Sequence, residues 1–309
     1  MNLKTPFRFL EGMRKPSGRD RYRQRIRSII WAWLGRLPWA IQMNAKLSGV
    51  LRVRLNTRDQ VICRAIFSTG EWEPNELEFL RATVKPGMVA FDVGANIGVH
   101  TLTLARCVGP GGMVHAFEPT AVFETLAYNV HRNGFDPRVR LNHCAVGESD
   151  GTGRFLSCRP GSELFTSRGI PLVAEVATGQ YVDYPMTTLD AYVRQHGIAR
   201  IDFLKVDVEG AEDLVLQGCG DLLAGWRIGC IMFELNEVCM ANNGRSAAGF
   251  LERIRSAGYH LSVIDEDGAF RPVPESLQNR VFNIVATPQP LPFEHGAYGG
   301  KTPGLASAV

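Results

Sequence analysis

Apolar and polar positions along this chain follow two different periods. From residue 88 onwards, short apolar runs at 88–92, 113–117, 139–143, 201–206 and 228–233 have the length and continuity of buried strands. Between them, 99–107, 122–131 and 211–217 repeat apolar residues every three or four positions and predict helices. A helix over 247–257 and strands over 260–264 and 281–286 complete the pattern. Strands and helices in that alternation predict an α/β fold with a mostly parallel sheet and helices on both faces. Upstream, Leu51, Val53 and Leu55 alternate with period two, 57–60 is polar, and apolar residues return at 61–67, which predicts a β-hairpin. A helix follows over 74–83. Residues 158–180 lack a period, and breakers such as Pro290, Pro292, Gly296, Gly299 and Gly300 predict a flexible tail over 288–309.

Composition narrows the class. With 309 residues, 45% hydrophobic and 21% charged, the chain can bury a large core, which excludes fibrous and wholly disordered protein. Seven scattered cysteines, odd in number and without metal-ligand spacing, predict buried apolar thiols in a reducing, cytoplasmic setting. Charge divides the chain unevenly. Residues 1–58 hold fourteen Lys and Arg against Glu11 and Asp20, so the rest is net acidic. The basic part contains Arg19, Arg21, Arg23, Arg25 and Arg27, then Ile29, Ile30, Trp31, Trp33, Leu34, Leu37, Trp39 and Ile41. Three readings compete for this basic amphipathic segment, 1–47: a helix packing its Trp and Ile face on the domain, peripheral contact of residues 1–45 with an anionic membrane, and, least favoured, a nucleic-acid arm. Its apolar run is too short to span a bilayer, and no cleavage site follows it.

The chemistry begins where the first strand of the regular pattern ends. Asp92-Val93-Gly94-Ala95-Asn96-Ile97-Gly98 leads from a strand into a helix, with glycines where a backbone can approach a ligand. The next strand ends in Glu118-Pro119, a carboxylate 20 residues after Gly98 that can accept hydrogen bonds from ribose hydroxyls. A dinucleotide site wants three closely spaced glycines and amides free for pyrophosphate. Here an acid precedes the glycines, which suits the ammonium and sulfonium of S-adenosylmethionine, so an NAD-dependent oxidoreductase is the weaker reading. In 201–212 a lysine lies inside an apolar strand and acids follow it. Lys205 must pair with a carboxylate, Asp92 or Asp207, to be tolerated there. Glu209 and Glu212 suit either function or the start of the following helix.

These segments resemble the FkbM family of S-adenosylmethionine-dependent methyltransferases. The resemblance rests on 70–73 (Gly-Glu-Trp-Glu), 92–98, 116–119, Asn129 with Asn133, Ala145-Val146, 188–190, 204–212 and Glu234, in order across roughly 70–235. It departs at Ala90-Phe91, where the family favours β-branched residues. It implies a Rossmann-like class I methyltransferase fold with a seven-stranded sheet in residues 48–287. It also implies methyl transfer to a hydroxyl on a saccharide, glycolipid or secondary-metabolite acceptor. The residues matching the cofactor side are Asp92, Gly94, Ala95, Asn96, Gly98, Glu118, Pro119, Ala145 and Asp207, and Asp207, Glu234 and Lys205 are the expected catalytic group. His100 and His143 are alternative bases. Asp207, Glu234 and Asn236 together could hold Mg²⁺ or Ca²⁺, a version not favoured over hydrogen bonds to the cofactor. A catalytically inactive, cofactor-binding scaffold is the other functional class.

Overall fold

In the computed structural model, which describes residues 18–162, 177–265, 268–275, 277 and 281–291, the chain starts with helix α1 (Gly18–Leu34) and the strands β1 (Gln42–Leu47) and β2 (Leu51–Asn56). Helices α2 (Ile62–Thr69) and α3 (Pro74–Thr83) lead into β3 (Val89–Val93), α4 (Val99–Val108), β4 (Met113–Phe117), α5 (Phe123–Arg132) and β5 (Val139–Asn142). A small excursion follows, made of β6 (Ala145–Val146), β7 (Gly151–Cys158) and β8 (Ala177–Thr187). Then come α6 (Leu189–Gln195), β9 (Phe203–Val206), α7 (Glu212–Gln217), α8 (Gly220–Ala224), β10 (Ile231–Asn236) and α9 (Glu237–Asn242). Helix α10 (Ala247–Ser256) and strands β11 (His260–Ile264), β12 (Phe270–Pro272) and β13 (Val281–Thr287) close the fold.

The main sheet has the order β12-β11-β13-β10-β9-β3-β4-β5. Strands β5, β4, β3, β9 and β10 run parallel, and β13 inserts antiparallel between β10 and β11. Seven of these strands are those of a Rossmann-like class I methyltransferase sheet, and β12 extends its edge as an eighth. Both faces are covered, as a parallel sheet requires. On one face Ala90, Val114, Ala116, Phe203 and Met232 pack with α2, α3 and α4 residues such as Ile66, Leu80 and Leu102. On the other, Phe91, Val93, Phe117, Leu204, Val206 and Phe233 pack with Tyr192, Val215, Leu222 and Phe250. The period-two alternation of side chains along each strand divides the core in this way.

Several sequence expectations need correction. The hairpin is β1 with β2, closed at Ser48 and Gly49, whose φ angles of 48° and 73° make the reversal. The 61–67 run is not its second strand: α2 buries Ile62, Cys63 and Ile66 at helical spacing and stops at the left-handed Gly70. The described part of the 1–47 segment is joined to the domain: β1 pairs with β2, and Trp31 is fully buried with its ring 4.9 Å from Phe67. The stretch without a period contains the ends of β7 and β8, which form a separate sheet with β6. Its centre (163–176), residues 1–17 and most of the expected tail (292–309) lie outside the described residues. Among the described residues no helix is long and apolar enough to cross a membrane.

One side chain ties the hairpin to the end of β3. Asn129 on α5, fully buried, accepts from Arg54 N (2.7 Å) through Oδ1 and donates to Ile97 O (2.8 Å) through Nδ2. Asn133, one turn later, exchanges hydrogen bonds with Arg52 N and O at 2.9 and 2.7 Å nearer the surface. Asn129→Ala leaves two backbone groups without their partner and is expected to destabilise the fold by about 2–4 kcal/mol. Asn133→Ala, whose backbone partners reach water, is expected to cost less than half as much. Denaturant midpoints of the two variants at unchanged m-value check the ranking.

Candidate active site

Asp92 sits on β3 beside Lys205 of β9, so both side chains emerge on the same face near the carboxyl edge. Asp92 is fully buried; Oδ2 accepts from Thr101 Oγ1 at 2.5 Å, and Oδ1 has no hydrogen-bond partner among the described residues. A buried carboxyl oxygen without a hydrogen bond is costly, so this position suits a donor from a ligand.

The turn after β3 is closed on itself. Gly94 N and Ala95 N donate to Phe117 O (3.0 and 2.9 Å), Asn96 N to Glu118 Oε2 (2.9 Å), Ile97 N to Asn96 Oδ1 (2.7 Å) and Gly98 N to Ala95 O (2.9 Å). Every amide from 94 to 98 is engaged within the chain. Gly94, at φ 83°, has no room for a side chain, since a Cβ there would lie 1.8 Å from the Asp207 carbonyl oxygen. At Gly98, φ 95°, it would meet Leu126 at 2.7 Å. The glycines were expected to admit a ligand; what they admit is the end of β9 and helix α5.

Glu118, at the end of β4, is 5% exposed and accepts from Asn96 N and, through Oε1, from Thr120 N (2.9 Å) and Thr120 Oγ1 (2.6 Å). Burial raises its pKa, and those hydrogen bonds pull against the rise. Pro119 follows it, partly buried. Lys205 Nζ donates to Asp207 Oδ2 at 2.8 Å, which selects Asp207 over Asp92 as its direct partner. Burial disfavours the ammonium, but Asp207, Asp92 and Glu73 outweigh it and hold Lys205 charged. Burial likewise disfavours the Asp207 carboxylate, and Lys205 outweighs it, keeping Asp207 below its usual pKa.

Two residues without a role in the sequence reading complete the crevice. Glu73 has φ 44° and brings its Oε2 to 3.2 Å from His100 Nε2, without the alignment of a hydrogen bond. Glu76, one turn into α3, receives a hydrogen bond from Asn283 of β13. With Lys205, Asp207, Met232, Phe233 and Glu234 they line a narrow cavity of about 10 Å³, room for one water molecule. The signal was present in Glu73-Pro74-Asn75-Glu76, two acids either side of a helix-starting proline. Burial, then Lys205 in opposition, leaves Glu73 at about 7, and burial with Glu73 beside it lifts Glu76 to about 8. Glu234 is raised well above its usual range by burial and by Asp207 and Glu209.

Other candidates are held in structural roles. Glu212 Oε1 accepts from Val208 N (3.0 Å) and Gly210 N (3.2 Å), fixing the turn after β9. Asn236 Oδ1 accepts from Cys239 N and caps α9. Among the described residues no three His, Cys, Asp or Glu side chains converge as a metal shell, and the Asn236 oxygen of the sequence-derived set is taken by its cap. Burial drives His100 down to about 3 and keeps it neutral. His143 stacks on Phe123 at 4.3 Å, and the Ala145 methyl packs with Phe155 and Met186. A larger hollow of about 340 Å³ beside Gly197, Ala199 and Arg227 lies by the amino ends of β9 and β10, away from all of these groups.

Acids thus gather at the carboxyl ends of β3, β4 and β9 of this class I sheet. Residues 92–261 match the methyltransferase FkbM domain. The chain belongs to that family of S-adenosylmethionine-dependent methyltransferases. It is 33% identical over 181 residues to the 31-O-demethyl-FK506 methyltransferase FkbM of Streptomyces tacrolimicus, covering 50% of this chain and 68% of that protein. It is 32% identical over 152 residues to methyltransferase sdnD of Sordaria araneosa, covering 41% and 58%. A solved S-adenosylmethionine-dependent O-methyltransferase from Thermotoga maritima aligns with a TM-score of 0.39 at 17% identity, covering 72% and 67%.

The raised carboxyls make stability depend on pH with a defined sign. Glu76 ionises near 4.5 when unfolded and near 8 when folded, so the stability it lends is complete below 4.5 and is lost as pH rises to about 8. Glu76→Gln removes that loss. Its melting temperature relative to the parent, without cofactor, is expected to climb between pH 5 and 8.5. A difference flat across that range means Glu76 is ionised in the fold.

Proposed function

We propose that the chain transfers the methyl group of S-adenosylmethionine to a hydroxyl oxygen of a saccharide, glycolipid or secondary-metabolite acceptor. The observation that carries this reading is the pairing of a closed turn with a buried acid, Asp92, one of whose oxygens lacks a hydrogen bond among the described residues. Five engaged amides leave the turn no N–H groups for a pyrophosphate, while Asp92 Oδ1 suits a donor from a ligand. A ligand bearing an ammonium and a sulfonium answers both features, and a dinucleotide answers neither. The name of the Streptomyces tacrolimicus relative supports oxygen as the methylated atom.

In this reading Glu118 exchanges part of its contact with Thr120 for ribose hydroxyls, and Asp92 faces the methionine portion. Gly94, Ala95, Asn96, Gly98 and Pro119 shape the wall, with Ala145 contributing backbone alone. S-adenosylmethionine supplies an electrophilic methyl group, so the protein's task is to align an acceptor oxygen in line with it and exclude water. Asp207, held ionised by Lys205, accepts the hydrogen bond of the acceptor hydroxyl and orients its lone pair. The sulfonium, when bound, would give up its methyl group and keep the C–S electron pair, and the acceptor's hydroxyl proton would pass to the Asp207 carboxylate. Glu234, its pKa raised well above the usual range by burial and by Asp207, stands on the same wall.

Calorimetric titration is expected to give S-adenosylmethionine binding and no NADH binding; tighter binding of NADH overturns the reading. Asp207→Asn is expected to lower kcat by at least about a hundredfold with little change in cofactor Kd, because its contact is made chiefly in the transition state. Cofactor binding with no turnover on any hydroxyl acceptor favours the inactive scaffold.

A further inference from the structure

Helix α1 presents two dissimilar faces. The inner one is fixed: Trp31 is fully buried, its Nε1 donates to Asp59 O at 2.8 Å, and Arg64 Nε of α2 donates to Ser28 Oγ at 2.9 Å. The outer one carries Tyr22, Ile26, Ile29 and Trp33 at spacings of four, three and four residues, with Ile30 beside them. On a helical projection they form a stripe about 100° wide, the width of a core-facing seam. Yet they are exposed by 68%, 39%, 53%, 68% and, for Ile30, 46%. Arg23 and Arg27 lie beyond one edge of the stripe and Arg21 and Arg25 beyond the other, with Arg19 inside its span at the first turn. Trp39, just beyond the helix, is 63% exposed.

We propose that this face of α1 is a docking surface for an anionic phospholipid bilayer, with the helix lying in the plane of the interface. The apolar stripe enters the boundary between headgroups and acyl chains, aromatic residues sit at headgroup level, and the two rows of arginines meet the phosphates. Charge complementarity selects this occupant. A second copy of the helix would set arginine rows against arginine rows along an apolar seam, a like-charge arrangement that flanking positions avoid. A nucleic acid would engage the arginines and leave the central stripe in water. The opposite, buried face makes the orientation a fixed property of the domain.

The test uses the full-length chain and sedimentation with phosphatidylcholine vesicles, with or without phosphatidylglycerol. Cosedimentation is expected only with the anionic vesicles and is expected to weaken with salt. Trp33→Asp and Ile29→Asp are each expected to reduce the bound fraction at least about tenfold while leaving melting temperature and cofactor affinity as in the parent. Arg21→Ala with Arg25→Ala is expected to weaken binding by about thirtyfold, since each basic residue near such a surface contributes about fivefold. A parent chain that stays in the supernatant with anionic vesicles at low salt overturns the proposal. So does equal binding to neutral vesicles, or binding insensitive to Trp33→Asp. Self-association abolished by Trp33→Asp, in a chain that ignores vesicles, assigns the face to a second copy and overturns it too.

Discussion

Bringing carboxylates from β3, β9 and the segment before α3 into one crevice would be prohibitive in a low-dielectric sheet without a cation at its centre. Lys205 supplies that charge from inside a central strand, 2.8 Å from Asp207 and one strand from Asp92. The pair separates the acids by behaviour. Asp207 stays ionised, whereas Glu76 and Glu234, further from direct contact with the ammonium, drift toward the neutral form. One crevice therefore contains a hydrogen-bond acceptor and hydrogen-bond donors made from the same functional group. Divergent environments of this kind are how proteins assign different tasks to identical side chains.

The strands around Lys205 are what the apolar pattern foretold, because a strand buried on both faces leaves a continuous run that few other elements produce. Residues 113–117 and 260–264 match β4 and β11 end to end, and 74–83 matches α3. The exception at 61–67 has a physical cause. A short apolar run is ambiguous between strand and helix, and burial of Ile62, Cys63 and Ile66 against the hairpin and α1 decided it. β6 and β8 were missed because β6 has two residues and much of β8 is exposed, which leaves weak periodicity to read.

Site legibility followed distance in sequence. Asp92, Glu118, Lys205 and Asp207 end strands of a regular pattern, so their convergence could be inferred from topology. Glu73 and Glu76 arrive from a helix that precedes the sheet, and Asn283 from its final antiparallel strand. Nothing local announces that 73 and 283 share a crevice. Asn129 and Asn133 were legible as part of a family pattern, but their work, stapling β2 and the glycine turn to α5, is visible only in three dimensions. Trp31 and Trp33 make the same point within one helix: neighbours in sequence, they face a core and a surface respectively.

The self-closed turn between β3 and α4 has an effect on the thermodynamics of ligand capture. Flexible glycine loops ordinarily lose conformational freedom when a ligand arrives, and that loss is subtracted from affinity. Here Phe117, Glu118 and Asn129 already hold the loop through backbone and side-chain hydrogen bonds. The ordering entropy is thus absorbed during folding, alongside the much larger change that fixes the sheet. A ligand then meets a rigid wall, and the affinity it gains from each contact is not reduced by having to freeze the turn.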